Sequence, residues 1–255
     1  MKNPDRPIVM SIVQYTDAIE SKKMTVMELV EKAGELGVDG VELRRELWGD
    51  NMNEELPAVK EKIQALNLQV TFATHSVLFC DGEDYDLLLA DVDTAAKIGS
   101  PHLRIFSGPV PTDDNDPAWQ KAKAVIDRAE SQGILIALEN YANEPGGTLA
   151  EIQTVLNHFS VPTLKTNIDT GNYAGWKQDI IEAINAIGDR AAYVHIKDPS
   201  EGGTSVPGEG DLPMKEIFAA LDAQPQKIIY CFEFPGGDDP DDRIRRALAF
   251  MQNRF

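Results

Sequence analysis

"NIDTGN", residues 167–172, runs a short apolar stretch (Leu164, Ile168) onto one carboxylate, Asp169, and then stops at Thr-Gly-Asn. Taken alone it reads as a surface turn, because Asp and Gly are ordinary turn residues. The pattern recurs. "GILIALEN" (133–140) ends near Glu139, "AAYVHIKD" (191–198) carries His195 and "KIIYCFEF" (227–234) carries Glu233. Each of these apolar runs presents one metal-ligand type near its C-terminal end, about one strand–helix unit from the next.

Outward from that stretch, β-rich runs fall at 8–13, 38–44, 69–75 and 102–107, and then at 133–139, 163–169, 191–197 and 227–233. Near-continuous apolar runs suit strands buried on both faces of a parallel sheet. Amphipathic helical patterns lie between them. Thr25 is placed to cap "VMELVEKAGELG" (26–37), where Gly37 marks the stop. Leu56, Val59, Ile63 and Leu66 recur at helical spacing in "NEELPAVKEKIQALN" (53–67). Further patterns follow at 84–99, 117–133, 148–159, 178–188, 213–223 and 240–253, with no linker that splits the chain. Strands alternating with crossover helices imply a parallel sheet with right-handed connections. Eight such units in 255 residues most simply close into an α/β fold of the (β/α)8 TIM-barrel type, one domain over residues 1–255. An open doubly wound sheet is the competing architecture, but no G-x-G-x-x-G follows the first strand.

Composition narrows the partners. Charged residues make up 26% and hydrophobic residues 42%, an ordinary soluble balance. The net charge of −18 weighs against nucleic acid, whose binding rests on basic surface. The acid gathers in "PTDDNDP" (111–117) and "GGDDPDD" (236–242), which read as solubilising surface. Two cysteines, Cys80 and Cys231, make a disulfide framework improbable and read as small buried hydrophobes. No run reaches the roughly 18 apolar residues of a membrane span, and the N-terminus lacks the apolar region of a signal peptide. The expectation is a cytoplasmic protein with no membrane partner; a homo-oligomer is left open.

In a barrel the C-terminal ends of all strands converge on one face, where active sites sit. Glu139, Asp169, His195 and Glu233 would then surround a shared centre. Three carboxylates and an imidazole repel one another unless a cation compensates them. The oxygen-rich donor set suits Mn2+ or Mg2+, and also Zn2+ or Co2+. Other polar residues are expected at the same mouth as substrate ligands: Glu42, His75, Arg104 and Lys197. A salt bridge with Arg44 or Arg45 is the alternative for Glu42. Trp48 and Trp176 are candidate pocket walls, with ordinary packing as the better expectation. His102 is expected to be structural, His158 to lie on the surface, and "EGGTSVPGEG" (201–210) to be a flexible connection or a lid.

"ALEN" (137–140), "NIDTGN", "YVHIKD" (193–198) and "FEF" (232–234) resemble the metal-site motifs of the xylose isomerase-like TIM-barrel superfamily, which includes sugar phosphate isomerases and epimerases. "GVDGVELR" (37–44), "THS" (74–76) and "GEG" (208–210) extend the resemblance over nearly the whole chain. It implies that Glu139, Asp169, His195 and Glu233 bind one divalent ion. In the ketose epimerase branch, the two glutamates also act as an acid–base pair on opposite faces of the substrate. An ion holding a carbonyl and a neighbouring hydroxyl acidifies the carbon-bound proton and stabilises the enediolate.

Two positions depart from that branch. Asn172 stands where a histidine follows the metal aspartate, and Glu201 where an arginine follows the metal histidine. Asn172 then takes a substrate-binding place. A DNA-repair branch resembling endonuclease IV binds three zinc ions through several more histidines, which a chain with four histidines does not supply. A branch of dehydratases acting on inososes or dehydroshikimate shares the first chemical step. The expected function is a metal-dependent isomerase or epimerase of a small sugar-like carbonyl compound. A lyase is the rival, and a non-catalytic sugar-binding barrel the minor alternative.

Overall fold

Thr25 starts the first long helix by a reciprocal arrangement. Its hydroxyl accepts from the Glu28 backbone N–H, and the Glu28 carboxylate accepts from the Thr25 N–H, which satisfies two otherwise orphaned donors. Gly37, at φ 76°, ends the helix in the left-handed region that glycine adopts freely. The chain next enters a strand at Gly40, where a Cβ would come within 2.1 Å of the Gln69 carbonyl oxygen. Only glycine admits that approach of neighbouring strands.

The structure is a computed structural model that describes residues 5–141, 143–175, 178–201, 203 and 205–253. Eight strands run in chain order: β1 (Ile8–Ser11), β2 (Gly40–Arg44), β3 (Gln69–Val77), β4 (His102–Phe106), β5 (Leu135–Glu139), β6 (Leu164–Asp169), β7 (Ala191–Ile196) and β8 (Ile229–Phe232). Each pairs parallel with the next and β1 pairs with β8, which closes the barrel. The main helices are α1 (Val26–Leu36), α2 (Met52–Ala65), α3 (Gly82–Ile98), α4 (Pro117–Ser131), α5 (Leu149–Phe159), α6 (Ile180–Ile187), α7 (Met214–Asp222) and α8 (Pro240–Asn253). The single-domain (β/α)8 barrel expected from the alternation is the architecture observed.

The apolar faces of the helices and the outer faces of the strands share one large core, while Val9, Tyr193, Ile229 and Cys231 form a smaller cluster of their own. Both cysteines are free thiols. No helix among the described residues is long and apolar enough to cross a membrane.

Three local features differ from the expected pattern. β1 stops at Ser11, whose hydroxyl accepts from the Val13 N–H and turns Ile12–Tyr15 into a 3-10 helix. Short helices occupy Thr16–Glu20, Arg45–Trp48 and Thr170–Gly175. The described part of the 201–210 loop is not free. Asp198 accepts from the backbone N–H groups of Gly208 (2.9 Å), Gly210 (3.1 Å) and Leu212 (2.9 Å), which ties the loop to the end of β7. Gly202 and Thr204 lie outside the described residues.

Candidate active site

Glu139 and Asp169 are the last residues of β5 and β6, His195 is the penultimate residue of β7, and Glu233 follows β8. Asp169 stands beside His195 in the β6–β7 register. Closure of the barrel brings one donor atom from each of the four within 4.8 Å of one another. Glu139, Asp169 and His195 are buried and Glu233 is half-buried.

Glu42 decides how His195 is held. From β2 it reaches across the barrel, with Oε2 2.7 Å from His195 Nε2. The Tyr193 hydroxyl donates to the same oxygen (2.7 Å), while Ser11 Oγ and Arg44 Nε each donate to Oε1 at 2.7 Å. An ionised carboxylate only accepts, so Nε2 carries the proton and Nδ1 faces the acids. Nδ1 lies 3.1 Å from Glu139 Oε2, 3.5 Å from Glu233 Oε2 and 4.0 Å from Asp169 Oδ2, yet makes no hydrogen bond among the described residues. Asp169 Oδ1 takes the N–H groups of Gly171 and Asn172 at 2.9 Å each, which leaves Oδ2 to face Lys197 and the centre. An imidazole nitrogen and a carboxylate oxygen therefore meet at a point flanked by two more carboxylates. That is the donor set a divalent ion needs, with a carboxylate behind the histidine to orient it.

The charges agree with this fit. Burial, with Glu233 and Glu139 nearby, pushes Asp169 up to about 7, against the pull of Lys197. Burial lowers His195, but Glu233, Glu42 and Glu139 outweigh it and raise its pKa, so the cluster demands positive charge at its centre. Lys197 supplies some of it, with Nζ 2.8 Å from both Asp169 Oδ2 and Glu233 Oε2. Glu42, His195 and Cys231 also lie close together. Both Glu42 oxygens are already engaged by four donors, which makes that group a poor ion site.

A cavity of about 1080 Å3 opens over the centre. Arg44, His75, Arg104, Glu139, Asn172, Lys197 and Glu233 all line it. Arg44 pairs with Glu233, and Arg104 Nε lies 2.9 Å from Glu139 Oε2. Asn172 Nδ2 donates to Glu139 Oε1 at 3.2 Å and to the Asn140 carbonyl at 2.8 Å. His75 is exposed on the wall, its ring 6.0 Å from that of Phe106.

Glu42 does not line the cavity. It is fully buried beneath His195 and forms the alternative ion pair with Arg44, while Arg45 pairs with Glu46 and Asp91. Trp48 is buried, donates to Glu55 and lies outside the cavity, which is the packing role. Trp176 lies outside the described residues. Glu201 is an exposed loop residue whose N–H donates to Asp211. His158 lies on the surface as expected, its ring stacked on that of Trp119 at 3.7 Å.

Three polar residues at the site escaped the sequence reading. Gln14 lines the cavity, is 3% exposed, and has neither its amide oxygen nor its amide nitrogen hydrogen-bonded among the described residues. Its position, one residue past the expected end of the first strand, was the available signal. Asn167 donates to Glu139 Oε2 (3.0 Å) and accepts from the His195 N–H (3.1 Å). Asn140 exchanges two hydrogen bonds with the Asp169 backbone. Both stand inside the quoted motifs, beside the ligands they hold.

Residues 30–254 match the family model described as xylose isomerase-like TIM barrel. No curated protein sequence matches the chain. Among solved structures, D-allulose 3-epimerase from Methylomonas sp. in complex with D-allulose superposes with a TM-score of 0.75 at 19% identity, over 100% of this chain and 99% of that one. The probable 3-DHS dehydratase from Bacillus anthracis gives 0.80 at 15% identity, over 100% of both chains. A xylose isomerase domain protein from Planctomyces limnophilus gives 0.78 at 17%, over 98% of both. At these identities the likeness is one of fold.

Proposed function

The chain belongs to the xylose isomerase-like TIM barrel family, and from that premise we propose that it is a divalent-metal-dependent isomerase or epimerase of a small sugar or related polyhydroxy carbonyl compound. One observation carries the reading. Glu139 and Glu233 approach the centre from β5 and β8, each with Oε2 toward His195 Nδ1 and Oε1 turned to a different partner. Each can then contribute one oxygen to an ion and keep the other for a proton.

Glu139, Asp169, His195 and Glu233 would hold the ion, which supplies Lewis-acid stabilisation of the negative charge that develops on the carbonyl oxygen. Glu139 Oε1, whose partner is the amide of Asn172 at 3.2 Å, takes the proton from the carbon next to the carbonyl. Glu233, across the cavity, returns a proton to the other face. Arg44 and Arg104 pair with the two glutamates and orient them. Lys197 lies within reach of substrate oxygens, and the two open ends of the Gln14 amide suit a hydroxyl that both donates and accepts. The D-allulose 3-epimerase likeness and the polar lining of the cavity support a sugar-sized substrate.

A second reading, a dehydratase, draws on how Glu233 is held. Burial raises the Glu233 carboxyl, but His195, Lys197 and Arg44 outweigh it and hold it well below the usual carboxylate range, which makes it a weak base. Elimination needs one base only. Glu139 removes the proton α to the carbonyl, the carbon–carbon double bond forms, and the β-hydroxyl leaves as water after protonation by a neighbouring acid such as Lys197. The likeness to a probable 3-DHS dehydratase accords with this alternative.

Incubation of metal-loaded protein in heavy water with a panel of ketoses, inososes and dehydroshikimate separates the readings. Deuterium at a substrate carbon with the skeleton otherwise unchanged is expected of the isomerase; loss of water identifies the lyase. Glu139→Gln and Glu233→Gln should each slow exchange by about 10^2 to 10^4-fold. Exchange at the wild-type rate in both variants would remove the acid–base assignment.

A further inference from the structure

At the opposite end of the barrel, β3, β4, β5, β7 and β8 begin around a second cavity of about 530 Å3. It shares no lining residue with the catalytic cavity. Its size falls in the range of small-molecule sites, and Ile63, Val70, Ile98 and Ile229 give it aliphatic walls. Lys60 and Lys227 are its charged residues, and no carboxylate lines it among the described residues. In a chain with 42 acidic and 24 basic side chains, that is a local reversal of charge. A neighbouring depression shares Lys60 and adds Lys97, again without an acid. Lys227 has no ion-pair partner among the described residues.

A second, independent observation comes from His102, the first residue of β4. It lines the cavity, is 1% exposed, and its Nε2 has no hydrogen-bond partner among the described residues. An unpartnered buried nitrogen costs free energy unless something fills it. Burial pushes the ring down to about 3, so it meets a ligand as a neutral hydrogen-bonding group and not as a cation.

We propose that this end of the barrel is a binding site for a small amphiphilic anion, with a ring-sized apolar body against the aliphatic walls and a carboxylate- or sulfonate-type head between Lys60 and Lys227. The site is independent of the reaction proposed above.

The probe is 8-anilinonaphthalene-1-sulfonate, titrated into the full chain by fluorescence and calorimetry. The expected result is saturable binding of one probe per chain. Lys60→Glu/Lys227→Glu, which reverses two charges outside the barrel wall, should weaken it at least about tenfold. Ala192→Phe, at the start of β7, should fill the cavity and abolish binding. If Ala192→Phe fails to fold, the charge-reversal variant decides. No saturable binding by the wild type, or unchanged affinity in Lys60→Glu/Lys227→Glu, overturns the proposal.

Discussion

Glu42 is the residue on which the candidate centre turns, although it touches no cavity. Burial alone would raise its carboxyl; Arg44 and His195 outweigh that and bring it down to about 2, so it remains an acceptor throughout the working pH range. Glu42→Gln substitutes an amide that can present its N–H to Nε2 and so turn the histidine's proton toward the ion. Weakening of the ion's dissociation constant by about 10 to 100-fold is expected, read by calorimetry. An unchanged constant would detach Glu42 from the ion site. His102 makes a different prediction at this scale. Its folded pKa of about 3 lies below the ordinary value of 6.5. Between those values the unfolded chain binds a proton that the folded chain does not, so its contribution is present above 6.5 and is lost as pH falls. Asp169 is shifted the opposite way, but that shift is common to wild type and variant and cancels between them. From pH 7 to 5, the stability of the wild type relative to His102→Gln should fall by about 2 kcal/mol in metal-free urea melts. A constant difference would show that His102 does not stay neutral in the barrel.

The elements show where a sequence reads clearly and where it does not. Strands β1 to β8 were legible because burial on both faces writes a continuous apolar run, and the main helices because one face must be apolar. Thr25→Ala removes one capping bond of α1 and should cost about 1 kcal/mol in chemical denaturation. Gly40→Ala should cost more, since its methyl would have to displace the Gln69 carbonyl in the next strand. Thr170–Gly175 was harder to see. Asp169 serves at once as candidate ligand and as the acceptor for the first N–H groups of that helix, so its turn-like residues begin a helix. Glu42, expected either at the mouth or paired with an arginine, takes the pair with Arg44, and the sequence left that choice open for a related reason. Alternation along a strand says which side of the barrel wall a residue faces, but not how deep in the barrel it sits.

At the scale of the molecule, the barrel concentrates acid at one end of its axis. Glu42, Glu139, Asp169 and Glu233 are balanced there by Arg44, Arg104 and Lys197, and an ion bound only in the folded state stabilises that state. At about 100 times its dissociation constant, Mn2+ should add about 2.7 kcal/mol. The readout is a melting temperature several degrees higher, reversed by chelator. A melt insensitive to Mn2+, Mg2+, Zn2+ and Co2+ would argue against the ion. Below the centre the buried column continues: Tyr193 donates to Glu42, and its ring lies 4.3 Å from His102 above the second cavity.

The amino-acid sequence by itself determined the alternation that closes the barrel and the placing of one donor at the end of each of four strands, because burial and turn chemistry act over a few neighbouring residues. The tertiary structure alone decided that Glu42, 153 positions from His195, holds the imidazole, that Gln14 faces the cavity with both ends of its amide open, and that His102 lies above a basic pocket. Those contacts join segments that meet only when the barrel shuts, and no local pattern in the chain records the depth at which they meet.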